Sequence, residues 1–156
     1  MEFGKILGNL FVGSCPEDAG DIEMLRSSLG VTAVLNLQTN RDIQLGNSEW
    51  TAVQDRYCQL GITLHRLRIR DFDFEELTKK LPEGAQTLRD LLHDGHTVYV
   101  HCTMGWNRSP TVTVAYLHWY KNWSLKRAVK RVQARKNCDP VVAAIRRATK
   151  LAEIQS

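Results

Sequence analysis

The 156-residue chain contains no run of about 18 apolar residues, which excludes a bilayer-spanning helix. Its opening, MEFGKILGNLF, lacks the basic start, long apolar segment and small-residue cleavage site of a secretory signal, so a cytoplasmic location is expected. A plastid location is expected instead if a transit peptide has been removed. The four cysteines, Cys15, Cys58, Cys102 and Cys138, lack C-x-x-C or any other metal-ligand spacing. We read them as free thiols in a reducing compartment, with no metal bound. Repeats, low-complexity tracts and long linkers are also missing, and a single domain over residues 1–156 is expected at this length. Neither sign of charge dominates: the net charge of +4 suits an anionic partner without requiring one.

What is there is a patterned chain with enough apolar residues, 43%, for one core. KILGNLFVGS reads as two strands turning at Gly8-Asn9. SCPEDAGDIEMLRSSLG reads as a helix, with Ser14-x-x-Glu17 as its capping box and Gly30 as its stop. VTAVLNLQ is continuously apolar, like a strand covered on both faces. In SEWTAVQDRYCQLG, helical spacing of Trp50, Val53, Tyr57 and Leu60 assigns Trp50 and Tyr57 to the core. ITLHRLRI alternates like a strand, PEGAQTLRDLLHDG is predicted helical up to Gly95, and TVYVHC is the next buried strand. Three helices follow, marked by Val112, Ala115, Tyr116 and Trp119, by Leu125, Ala128, Val129 and Val132, and by DPVVAAIRRATKLAEIQ. This order predicts an α/β fold with a central, largely parallel sheet flanked by helices.

The stretch HCTMGWNRS carries the chemistry. A strand ends on Cys102, and five residues separate it from Arg108. Ser109 is the predicted N-cap and Pro110 the first residue of the helix behind it. A loop between a strand and a helix start turns backbone N–H groups and the positive end of the helix dipole toward one point. Such a cradle holds an anion, and it equally lowers the pKa of a thiol from about 8.5. Arg108 can grip two phosphate oxygens with its planar fork, and Gly105 gives the loop backbone freedom. Cys102 is thereby placed to attack phosphorus and form a thiophosphate. Trp106, inside the loop, is expected to point outward. A leaving oxygen needs a proton, which a carboxylic acid on another loop can give; RIRDFDFEEL offers Asp71 and Asp73 there.

HCTMGWNRS resembles the signature loop of the cysteine-dependent protein tyrosine and dual-specificity phosphatases. The resemblance implies that Cys102 is the nucleophile, that Arg108 binds phosphate and that Ser109 helps the cysteine leave. It also implies an aspartate about thirty residues upstream as general acid; Asp71 is the choice and Asp73 the reserve. No cofactor is implied.

VLNLQTNRDI, RDFD followed by LP, YVHCT and KNCDPVVAAIRRAT further resemble the glucan phosphatases, the laforin and plant starch-phosphatase group. That group implies a phosphorylated polysaccharide, starch or glycogen, as substrate. Sugar rings pack on flat aromatic faces, so Phe72 and Trp106 are expected at the substrate with Thr103, Met104, Gly105 and Asn107. The sequence holds no separate stretch that reads as a carbohydrate-binding module, so glucan contacts are expected from this domain itself.

Asn107 stands where the group usually has glycine and Met104 where it has alanine; asparagine tolerates a left-handed backbone best among non-glycine residues. Asn107 is shared with RNA 5′-triphosphatases of the same superfamily, one rival reading; a phosphotyrosine or phospholipid phosphatase is another. The basic residues Lys126, Arg127, Lys130, Arg131 and Arg135 read as a solvated helix face opposite Leu125 and Val129. Nucleic acid is therefore not the expected partner.

Overall fold

The structure, a computed structural model, describes residues 1–46 and 49–155. Strands β1 (Phe3–Leu7), β2 (Leu10–Gly13), β3 (Ala33–Asn36), β4 (Thr63–Arg66) and β5 (Val98–His101) form one sheet in the order β1-β2-β5-β3-β4. Only β1 and β2 are antiparallel; β2–β5, β5–β3 and β3–β4 pair in parallel. The helices are α1 (Ala19–Ser27), α2 (Asn40–Leu45), α3 (Trp50–Gln59), α4 (Phe74–His93), α5 (Arg108–Tyr120), α6 (Leu125–Arg135) and α7 (Val142–Gln155). None is long and apolar enough to cross a membrane.

Both sheet faces are covered, which is why the central strands are apolar up to their last residues, Asn36 in β3 and His101 in β5. Phe11, Val34 and Tyr99 point to one side, where Ile22 and Leu25 of α1 and Tyr57 of α3 meet them. Their neighbours Leu10, Val12, Leu35, Val98 and Val100 point to the other side, against Leu81, Leu88, Leu117, Val132 and Ile145 of α4 to α7. A fully buried Leu such as Leu88 contributes about 1.5–3 kcal/mol. The parallel strands all end at one edge of the sheet. Gly13, Asn36 and Cys102 emerge there, and the chain after β4 is held beside them by bonds from Leu67 N to Asn36 O and from Ile69 N to Leu37 O (3.0 and 3.1 Å). Sites in open α/β sheets lie at such edges.

Several expectations are corrected. The helix after β2 starts at Ala19, not Ser14; Asp18 caps it, accepting from Asp21 N at 2.9 Å. Ser14 instead closes β1 onto β2, its hydroxyl oxygen accepting from Glu2 N. The short helix α2 was not anticipated; Thr39 and Asp42 build its capping box. Of SEWTAVQDRYCQLG, Ser48 lies outside the described residues.

Helix α4 begins at Phe74 and runs through Pro82. An internal proline costs ~3 kcal/mol. The buried stripe Leu77, Leu81, Ala85, Leu88 and Leu91 continues past it without a break in period and offsets that cost. Gly84 lies on this stripe, where an added Cβ would come within 3.3 Å of Leu67 and Val112, so its lack of a side chain lets α4 approach α5 closely.

Candidate active site

Cys102 sits at the end of β5, 2% exposed, because Val98, Tyr99 and Val100 carry the strand through the core to this edge. The loop behind it is braced by the β2–α1 turn. Cys15 N donates to Thr103 O at 2.9 Å. Gly105 has φ +68°, and an added Cβ would lie 2.6 Å from Gly13 C and 2.7 Å from Ser14 N. Only glycine suits both that backbone angle and that approach.

Asn107 is not left-handed: its φ is −114° and ψ −63°, and it occupies the N-cap of α5 in place of Ser109. Its side-chain amide donates to Asp139 O (2.8 Å), while Asp139 N donates to Trp106 O (2.9 Å). The NCDP segment, which carried only a family resemblance in the sequence, thus clasps the cysteine loop from the α6–α7 side. Asn107 makes no capping bond with its side chain, so the N-terminal N–H groups of α5 are not satisfied by it. Ser109, relieved of capping, lies with its Oγ 3.3 Å from Cys102 Sγ and donates to Gly13 O at 3.1 Å.

Arg108 is buried and held on several sides. Its Nη1 donates to Asp42 Oδ2 at 2.7 Å and to Ile69 O at 2.9 Å. Its Nη2 lies 3.2 Å from Asp71 Oδ2 and 3.4 Å from Thr103 Oγ1. Its buried Nε–H has no acceptor among the described residues. A buried donor without an acceptor is costly, and a phosphate oxygen would satisfy it. Burial alone would raise the Asp42 carboxyl; the hydrogen bond from Arg108 and that from Thr39 N outweigh it and hold Asp42 below its ordinary value. Sequence reasoning missed Asp42. Its one signal was Thr39-x-x-Asp42, a capping box read in no helix.

The segment after β4 separates the two aspartates. Asp73 caps α4, accepting from Glu76 N at 2.9 Å, and pairs with Arg70 Nη2 at 3.2 Å. Glu76 also accepts from Arg70 N and pairs with Lys80, which tethers the segment to α4. Asp71, free of that frame, turns toward Arg108. Phe72 beside it adopts φ +58° and is 92% exposed. A pocket of about 180 Å³ is lined by Asp71, Phe72, Cys102, Met104, Trp106 and Asn107. Trp106, 44% exposed, forms part of its rim. Thr103 and Gly105 lie outside this lining, and Thr103 faces a second cavity instead.

Trp50 is not in the core, although Tyr57 is. It is half-buried under the Arg66 guanidinium (5.0 Å to the ring centroid) and lines a second cavity of about 340 Å³ with Gln38, Asp42 and Tyr57. All four cysteines are free thiols. Among the described residues no cluster of His, Cys, Asp and Glu is arranged to hold a metal.

The chain is 36% identical over 149 residues to the chloroplastic phosphoglucan phosphatase LSF1 of Arabidopsis thaliana, covering 96% of this chain and 25% of that protein. It is 33% identical to the amyloplastic phosphoglucan phosphatase DSP4 of Castanea sativa, over 95% of this chain and 40% of that one. It is 32% identical to laforin of Mus musculus, over 87% and 44%. The chain therefore spans less than half the length of each of these relatives. Among solved structures, PTPMT1 matches with a TM-score of 0.72 at 20% identity, over 99% of this chain and 98% of that one. Human DUSP28 matches at 0.70 and 22%, over 99% and 95%. The family model for the dual specificity phosphatase catalytic domain matches residues 10–151, and the chain belongs to that family.

Proposed function

We propose that the protein is a phosphoric monoester hydrolase that removes phosphate from a glucan of the starch or glycogen kind, with Cys102 as nucleophile. The observation that carries the reading is the pocket in which Cys102, Asp71, Phe72 and Trp106 meet, with Arg108 held 3.2 Å from Asp71 and its Nε–H without an acceptor among the described residues. The names of two of the similar proteins, both phosphoglucan phosphatases, support the substrate class.

In this mechanism Arg108 binds phosphate oxygens through Nε and Nη2, and Asp71 yields its place on Nη2. The Cys102 thiolate attacks phosphorus, the ester P–O bond breaks, and protonated Asp71 gives its proton to the departing sugar oxygen. Asp71, now a carboxylate, takes a proton from the water that attacks the thiophosphate. The P–S bond breaks, inorganic phosphate leaves, and Ser109 solvates the departing sulfur. Phe72 and Trp106 hold sugar rings on either side of the scissile phosphate.

The test is phosphate release from phosphorylated amylopectin, measured beside a tyrosine phosphopeptide and a 5′-triphosphate RNA. Amylopectin is expected to be the preferred substrate. Cys102→Ser is expected to abolish release while keeping affinity for phosphate, because a serine hydroxyl is not ionised at neutral pH. Efficient turnover of RNA with no release from amylopectin would overturn the reading.

A further inference from the structure

The charge of the chain is unevenly spread. Residues 121–150 hold ten of the 21 Lys and Arg residues and only one of the 17 Asp and Glu residues. Part of this charge has structural work. Arg127 stacks on Trp123 at 3.9 Å, and Arg131 Nε donates to Ile6 O at 3.1 Å. Lys126, Lys130 and Arg146 do neither, and form no ion pair among the described residues.

These three line a groove of about 680 Å³ between α6 and α7. Its floor is apolar, formed by half-buried Leu125, Val129 and Val142, and no acidic residue lines it. The groove exists because α6 packs on α5 while α7 packs chiefly on α4, leaving a furrow between the two helices.

We propose that this groove docks an acidic amphipathic helix of a partner protein. The furrow between two helices has the shape that takes a third, its apolar floor fits one apolar helix face, and its cationic rim complements glutamates and aspartates along the edges of that face. A nucleic acid is the poorer fit, since no aromatic side chain lines the groove for base stacking. A membrane is also a poorer fit, since the apolar residues lie in the floor of a furrow and not on a projecting face. Val142, at the active-site end of the floor, follows the Asp139 segment that clasps Trp106 and Asn107, so the docked helix lies beside the chain that braces the cysteine loop.

The probe is a fluorescent designed peptide of about 18 residues, with leucines at i, i+3, i+4 and i+7 and glutamates on the flanks of that stripe. It is expected to bind the wild-type protein at least about tenfold more tightly than a scrambled peptide of the same composition. Lys126→Glu/Lys130→Glu/Arg146→Glu is expected to weaken binding by about tenfold or more, and added salt to weaken it in wild type. The same variant should keep wild-type turnover of a small aryl phosphate and its unfolding midpoint, which separates lost docking from lost folding. Equal affinity for the scrambled peptide, or unchanged affinity after charge reversal, overturns the proposal. So does tighter binding of single-stranded RNA or anionic vesicles that the charge reversal abolishes.

Discussion

Asp42 Oδ2 lies 2.7 Å from Arg108 Nη1 and also accepts from Thr39 N at 2.9 Å, so one carboxylate joins the start of α2 to the buried arginine of the cysteine loop. Arg108 is 2% exposed, and removing the partner of a buried charge leaves that charge unpaired. Asp42→Ala should lower kcat/KM for a small aryl phosphate by about tenfold to a hundredfold, through misplacement of the guanidinium. Asp42→Glu should recover part of the loss. Steady-state kinetics decide it; an unchanged kcat/KM for Asp42→Ala would show that the remaining contacts, Ile69 O, Asp71 and Thr103, suffice to position Arg108.

The two aspartates after β4 should fail in different ways. Asp71→Asn removes the proposed proton donor and should cost about 10²–10⁴-fold on alkyl phosphates such as glucose phosphate, and far less on aryl phosphates with good leaving groups. Asp73→Ala removes the α4 cap bond to Glu76 N, so it should cost about 0.5–2 kcal/mol of stability and leave that leaving-group pattern unchanged. Should Asp73→Asn alone show the leaving-group pattern, the general acid is Asp73.

Phe72→Ala and Trp106→Ala remove the proposed sugar contacts, which are remote from the bond broken. Both should lower phosphate release from amylopectin or glycogen well below wild type while most aryl phosphatase activity remains. The aryl substrate also controls for damage to the cysteine loop, whose Trp106 carbonyl accepts from Asp139 N. Equal losses on both substrates would contradict a role in polysaccharide binding.

His101 predicts a pH dependence of stability. Burial, aided by the charges of Arg108 and Arg66 and opposed by the Nδ1–H bond to Cys102 O, depresses its imidazole to about 4. The unfolded chain takes up that proton near pH 6.5, so between pH 6.5 and 4 the unfolded state binds more protons. This contribution to stability is present above pH 6.5 and is lost as pH falls to 4, by roughly 3 kcal/mol. Asp42, held below its ordinary 3.8, loses its contribution only at lower pH, so the two windows separate. Urea unfolding of wild type against His101→Asn over this range measures it; parallel pH profiles would contradict it.

What the sequence determined by itself is whatever lies within one continuous stretch. The strand into Cys102, the helix behind Arg108 and the alternation of strands and helices follow from local period and from glycine, proline and β-branched placement. The positions of Cys102, Arg108 and Ser109 relative to one another follow from the same loop. Tertiary structure decided the rest, because it depends on partners distant in sequence. Pro82 looked like a helix start until the buried stripe from Leu77 to Leu91 outweighed its local cost. Trp50 and Tyr57 share a helical spacing, yet Tyr57 is covered by the sheet while Trp50 lies at its edge under Arg66. Ser109 is a good cap by type, but the thiol of Cys102 and the carbonyl of Gly13 claim its hydroxyl. Asp71 and Asp73 are nearly equivalent as letters; Glu76 and Arg70 draw one into a cap, and Arg108, 37 residues beyond Asp71, draws the other into the pocket. Asp42 reaches Arg108 across 66 residues, a pairing that strand order creates and local sequence cannot encode.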